Sequence, residues 1–165
     1  MFAFTETVNI AAPAEQVWDT MHDLEAWWPA SNPEHISLER LDNRGITVGA
    51  QLRIRETIAG IPGEAVGVIT RVTPGTEVSW QADHARYRWF GLTLTVAEGV
   101  TWRVQSDGHR QCQLSAHVWA RFPRSPLGHV HSWAFEHLLD GVDKDRRHAR
   151  TELEYLKHAI ENGDR

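Results

Sequence analysis

The sequence predicts an α+β fold in which a curved antiparallel sheet of about six or seven strands wraps around a long C-terminal helix, with two short helices after the first strand. Three observations carry this prediction. Apolar and polar residues alternate with a period of two between Ile36 and Phe122. Turn signals cut that region into runs joined by short connections, which implies an antiparallel meander. After Pro123-Arg124-Ser125-Pro126 the period becomes helical, and the apolar stripe needs a curved partner to cover it.

Residues 4 to 10 alternate as a first strand. Pro13 suits a first helical turn and Glu15 favours the positive end of the helix dipole, so a short helix begins there, with Val17, Trp18 and Met21 about one turn apart. A second short helix from Leu24 to Trp28 is expected to end at Pro29, before the loop signal Ser31-Asn32-Pro33. Strand runs follow: Ile46, Val48, Leu52 and Ile54; Val78, Trp80 and Ala82; Leu92, Leu94 and Val96; Val100, Trp102 and Val104; and Cys112, Leu114, Ala116, Val118 and Ala120. The expected turns are Asp42-Asn43-Arg44-Gly45, Ile61-Pro62-Gly63, Thr73-Pro74-Gly75 and Ser106-Asp107-Gly108. From about Leu127 to Ile160, Val130, Ala134, Leu138, Val142, Ala149, Leu153, Leu156 and Ile160 lie near one helical face, which Gly141 interrupts.

The composition narrows the class. At 165 residues, with 41% hydrophobic and 24% charged residues and neither repeat nor flexible linker, the expectation is one domain over 1–165. No run approaches the roughly 20 apolar residues of a membrane span. No basic segment precedes an apolar run at the start, and Cys112 is the only cysteine, so a reducing, cytoplasmic setting is expected. A net charge of -5 argues against nucleic acid or an anionic membrane as the main partner. Lys144 and Lys157 are the only lysines among 17 basic residues, a bias attributed to base composition because the arginines are scattered. Eight tryptophans and ten histidines stand out.

The segment Ile10-Ala11-Ala12-Pro13-Ala14-Glu15-Gln16-Val17-Trp18-Asp19, followed by Asp23-Leu24-Glu25-Ala26-Trp27, resembles the opening of the START/SRPBCC, or helix-grip, superfamily. It is similar in particular to the bacterial polyketide cyclase/aromatase-like branch, to which Gly99-Val100-Thr101-Trp102 also has a likeness. The resemblance implies a cavity between sheet and helix holding a hydrophobic small molecule, either as substrate for cyclisation, aromatisation or dehydration or as the cargo of a non-catalytic carrier or sensor. It implies no cofactor. On this resemblance His35 takes the position of the family's Tyr and Arg71 that of its Arg. His35 is then the base and Arg71 the holder of a developing oxyanion. His replaces a phenol, and Gly67 stands where these cyclases often carry Trp.

For ligand binding the candidates are Trp27 and Trp28 at the cavity mouth, Trp80 and Trp102 on strands, and His131, Ala134 and Leu138 on the last helix. Trp27 and Trp28 are adjacent on a helix and diverge by about 100°, so one of the two is expected in the core. Arg53, Arg55, His117 and Trp119 lie opposite the apolar phase of their strands and are expected to face solvent. His129, His131 and His137 lack the three- or four-residue spacing of helical ligands, so no metal is assigned to them. Cys112 falls on an apolar strand face and reads as a small core residue.

Overall fold

The computed structural model describes residues 1–89, 91–108 and 110–163. Strand β1 (Phe2–Ile10) leads into α1 (Ala14–Met21) and α2 (Leu24–Ser31). Six strands follow: β2 (His35–Arg40), β3 (Gln51–Ile58), β4 (Ile61–Thr73), β5 (Glu77–Trp89), β6 (Leu92–Ser106) and β7 (Cys112–Arg121). Two helices, α3 (Pro126–His137) and α4 (Gly141–Asn162), complete the order. All seven strands form one antiparallel sheet in the order β1-β7-β6-β5-β4-β3-β2, a meander closed by β1 on its last strand. This is the helix-grip architecture that the periodicity predicts.

The core lies where α4 and the two short helices meet the concave face of the sheet. Val17, Met21, Leu24, Leu153 and Leu156 are almost wholly buried there against Leu52, Ile69, Val78, Trp102 and Leu114. Each such side chain contributes about 1.5–3 kcal/mol by leaving water.

Four local expectations are corrected. The long terminal helix is broken at residues 138–140: Asp140 adopts a left-handed conformation, φ 53°, and Gly141 starts α4 with the Phe135 ring where a Cβ would sit. That break changes the helical phase, so α3 buries His131, Ala134 and Phe135 while Val130 and Leu138 face outward. α2 continues through Pro29 to Ser31, although an interior proline forfeits one backbone bond and crowds the carbonyl a turn before it; burial of Trp27, Trp28 and Ser31 opposes that cost. Ile46 and Val48 lie in the β2–β3 loop, and β3 begins only at Gln51. The β3–β4 turn is Ala59-Gly60, both at positive φ, one step before the expected Ile61-Pro62-Gly63, which pairs as strand.

Two features of the sheet shape the interior. A bulge between Ala82 and Ala85 shifts the phase of β5, so Trp80 and Tyr87 both face inward despite their odd separation. Both rings lie over glycines of β4, Tyr87 across Gly63 and Trp80 across Gly67. Trp80 thus fills, from the neighbouring strand, the space left by the glycine at 67. A Cβ at Gly67 would stand 2.3 Å from the Gln81 carbonyl and 2.5 Å from the Trp80 indole. Gly67→Ala is therefore expected to cost about 1–3 kcal/mol, read as a lower Tm; an unchanged Tm would mean that β4 and β5 are not packed this closely.

Candidate functional site

A cavity of about 110 Å³ opens between α4 and the concave face of the sheet. Its walls are mostly apolar: Ile54, Ile58, Leu94, Val96, Val118 and Phe135 contribute, with the indoles of Trp28, Trp80 and Trp102. Glu56, Glu98, Asp145, His148 and Glu152 also line it, and no Lys or Arg does so among the described residues. The polar side chains therefore sit in an apolar enclosure without a basic side chain other than histidine.

The polar end is built by three elements. Asn32 Oδ1 accepts from the Glu34 backbone N–H at 3.0 Å, and the His35 N–H donates to the Asn32 carbonyl, which turns the chain sharply into β2. Asn32 Nδ2 also donates to the His148 carbonyl, tying this turn to α4. His35 is thereby carried inward, where its ring stacks on Trp28 at 3.5 Å and its side chain is fully buried. Its Nδ1 donates to the Trp28 carbonyl. Its Nε2 lies 2.8 Å from His148 Nε2 and 2.9 Å from Glu152 Oε1. His148 and Glu152 are one helical turn apart on α4, with Nε2 and Oε1 separated by 3.3 Å, and His148 Nδ1 meets a Glu34 oxygen at 3.0 Å. Glu56, paired with His35 across the β2–β3 ladder, brings Oε2 to 3.6 Å from His148 Nε2.

The electrostatics follow from this crowding. Burial disfavours a charged His148, but the surrounding Glu152, Glu56 and Glu34 outweigh it and lift its pKa to about 10. Burial would likewise raise Glu152, yet hydrogen bonds from His148 and His35 bring it below the ordinary carboxylate value. Glu56 receives less compensation: burial holds it well above that value, reinforced by Glu98, Glu152 and Asp145. Burial also pushes Asp145 and Glu98 up to about 7 each. Tyr87 donates to Glu98 Oε2 at 2.8 Å, and burial raises the phenol well above its usual value.

The residues nominated by sequence divide sharply. His35 is at the polar end, and Trp28, Trp80 and Trp102 line the cavity. Trp27 is outside the cavity lining: its Nε1 donates to the Met21 carbonyl and its ring packs edge-on against Trp102. Arg71 is corrected outright. It lies on the opposite side of the sheet, its side chain 66% exposed and paired with Glu77, which Arg103 also binds, so it cannot hold an oxyanion in the cavity. The break before α4 withdraws His131, Ala134 and Leu138, none of which lines the cavity; Phe135 represents α3 there. Arg53 and Arg55 make solvent-side pairs with Glu39 and Glu64, and His117 bonds Thr5 on the outer face.

His148, Glu152, Glu56, Glu98 and Asp145 are not among the candidates that the sequence nominates, although a signal for them exists. Glu56 continues the inward phase of Leu52 and Ile54, and Glu98 interrupts that of Val96 and Val100. His148 and Glu152 flank Ala149 and Leu153 on the buried stripe of the helix. Charged residues in an apolar phase mark a polar interior group.

Glu98 supplies a test by linkage. Its pKa rises from 4.5 to about 7 on folding, so between these values the folded chain binds more protons than the unfolded one. Stability contributed by this group is full at low pH and lost as pH rises towards 7. Glu98→Gln, which keeps an acceptor for Tyr87, should remove that loss and gain roughly 3 kcal/mol on the wild type between pH 5 and 8. Urea unfolding at the two pH values checks this, and parallel profiles would contradict it. Tyr87, Glu56 and Asp145 face Glu98 from β5, β3 and α4, and of these Asp145, also pushed up to about 7, titrates in the same range.

Comparison with known proteins agrees with this architecture. The profile of the family described as "Polyketide cyclase / dehydrase and lipid transport" matches residues 1–161. No curated protein sequence matches the chain. Among solved structures, the ZhuI aromatase/cyclase from a Streptomyces species aligns with a TM-score of 0.71 at 18% identity, covering 99% of this chain and 96% of that one. A START superfamily protein from Mycobacterium smegmatis aligns at 0.60 and 19% identity, covering 98% and 95%. Norcoclaurine synthase from Thalictrum flavum aligns at 0.68 and 14% identity, covering 99% and 96%. At these identities the likeness is one of fold. The match over residues 1–161 places this protein in the polyketide cyclase/dehydrase and lipid-transport family, with the seven-stranded grip on α4 as its fold.

Proposed function

We propose that the cavity binds a small hydrophobic molecule, aromatic or polyketide-like in character and bearing at least one oxygen, and that the polar end promotes its cyclisation, aromatisation or dehydration. The observation that carries this reading is the polarity of the enclosure: aromatic and aliphatic walls lead to His148, Glu152 and Glu56 at one end. Trp80 Nε1 and Trp102 Nε1, on two lining residues, are buried donors without a partner among the described residues. Buried donors of this kind are satisfied by a bound acceptor, which favours a carbonyl or hydroxyl oxygen over a plain hydrocarbon. The volume of about 110 Å³ suits a single ring or a short chain in the conformation described.

The reactive candidates are His35, through its contacts, and His148 and Glu152 at the cavity wall. Arg71 has no part in this reading. A carrier that holds the ligand unchanged is the alternative, favoured by a lining dominated by apolar residues.

Native mass spectrometry of the chain purified from its producer would identify a copurified ligand, and tryptophan fluorescence would follow rebinding of single-ring ketones and phenols. Val118→Phe, which narrows the cavity at an apolar lining position, is expected to weaken binding at least tenfold. His148→Gln is expected to retain binding within a few-fold and abolish conversion to product. Conversion undiminished in His148→Gln would remove the catalytic role, and absence of any saturable binding would remove the cavity as the site.

A further inference from the structure

The polar end of the cavity has the form of a metal centre. His35 Nδ1 faces the Trp28 carbonyl, which can only accept, so that nitrogen carries the proton. His148 Nδ1 is likewise committed as a donor to the Glu34 carboxylate. In the neutral rings both Nε2 atoms therefore present lone pairs, and they present them to each other at 2.8 Å and to Glu152 Oε1 at 2.9 and 3.3 Å. Lone pairs aimed at one point repel unless a cation lies between them. Protons on Nε2, which make the hydrogen bonds to Glu152, are one such cation, and a metal ion at the same point is the other.

A metal ion answers that requirement in shape, in support and in charge. Three N/O donors each about 2.1 Å from one ion stand about 3.0 Å apart on an octahedral face and about 3.4 Å apart on a tetrahedral one. The observed edges, 2.8, 2.9 and 3.3 Å, fall around the first value. Ligating histidines are commonly oriented by giving their other N–H to a backbone carbonyl or a carboxylate, which is the arrangement of His35 and His148. Glu56 Oε2 lies within 4.0 Å of both Nε2 atoms, near enough to join the set. The lining holds four carboxyl groups and no Lys or Arg among the described residues, an excess of buried acid that a dication would neutralise. Among the described residues this is the one His/Cys/Asp/Glu group with metal-binding geometry, and it excludes His129, His131 and His137.

We propose that His35, His148 and Glu152 bind one divalent first-row transition ion, Zn²⁺ or Fe²⁺ in type, as a facial two-histidine, one-carboxylate set whose open side faces the cavity. Two histidines with one carboxylate are a donor set that such ions accept. The inference deepens the reading of the same cavity and rests on it only for what the ion would act upon: an oxygen of the bound molecule, polarised by the ion as Lewis acid.

The test uses metal alone, so its failure would leave ligand binding in the cavity standing. Full-length protein stripped with a chelator is titrated with Zn²⁺ by calorimetry and with Co²⁺ by visible absorption. One equivalent per chain is expected, with d–d bands of nitrogen/oxygen coordination and a Tm several degrees higher. His35→Ala and His148→Ala should each lose at least a hundredfold in affinity, whereas His131→Ala should match the wild type. Glu34→Gln, a partly exposed position, should fold normally and lose about 10- to 100-fold by loosening His148. That variant decides the matter if the histidine variants do not fold. Absence of stoichiometric binding to the wild type would overturn the proposal, leaving a shared proton between the rings. Binding equally strong in Glu34→Gln and the histidine variants would also overturn it.

Discussion

Burial of His148 and Glu152 on the inward face of α4 is the constraint to which the interior of this protein answers. The same face carries Leu153 and Leu156, whose burial drives the helix into the sheet. The hydrophobic stripe therefore takes an imidazole and a carboxylate out of water with it. Removing one partner of such a buried pair typically costs about 3–5 kcal/mol, so the surroundings must satisfy both. His35 on β2, Glu34 in the preceding turn and Glu56 on β3 meet them there. The α2–β2 turn, the His35–Trp28 stack and the β2–β3 register all serve this one junction.

The cavity is the complement of that junction. Beyond the polar cluster, the bulge in β5 aims Trp80 and Tyr87 inward over glycines 67 and 63, where both line the cavity. Apolar walls with one concentrated polar end give a bound molecule a single favourable direction. Its oxygen-bearing end belongs among the donors and acceptors, and its rings belong against indoles. The shortage of positive charge is the same fact seen electrostatically: Glu56, Glu98 and Asp145 hold protons more tightly than usual because burial is only partly offset.

How far the sequence reveals such a site depends on the range of the signal. Alternation and helical periodicity are local, so the sheet, the two early helices and the apolar stripe of α4 are legible without coordinates. The inward phase of Glu56 and Glu98 is legible on the same ground, as charges standing where their strands bury apolar residues. Arg71 shows the opposite case. Its position along the chain suits the family's arginine, but its side chain lies on the solvent side of β4 beside Glu77. The break at Asp140 is a further limit, since Phe135 against Gly141 stops a helix whose apolar stripe reads almost continuously.

By itself, then, the sequence determines the architecture, because hydrophobic periodicity states which face of each element must leave water. The tertiary structure alone decides which polar groups meet inside. His35 and His148 are 113 positions apart and share no motif. Their encounter depends on how a sharp turn after α2 is tied to a helix from the far end of the chain. No local pattern encodes that distance. The Asn32 turn, tied by its side chain to the His148 carbonyl, sets it, and with it the triangle of nitrogen and oxygen atoms at the end of the cavity.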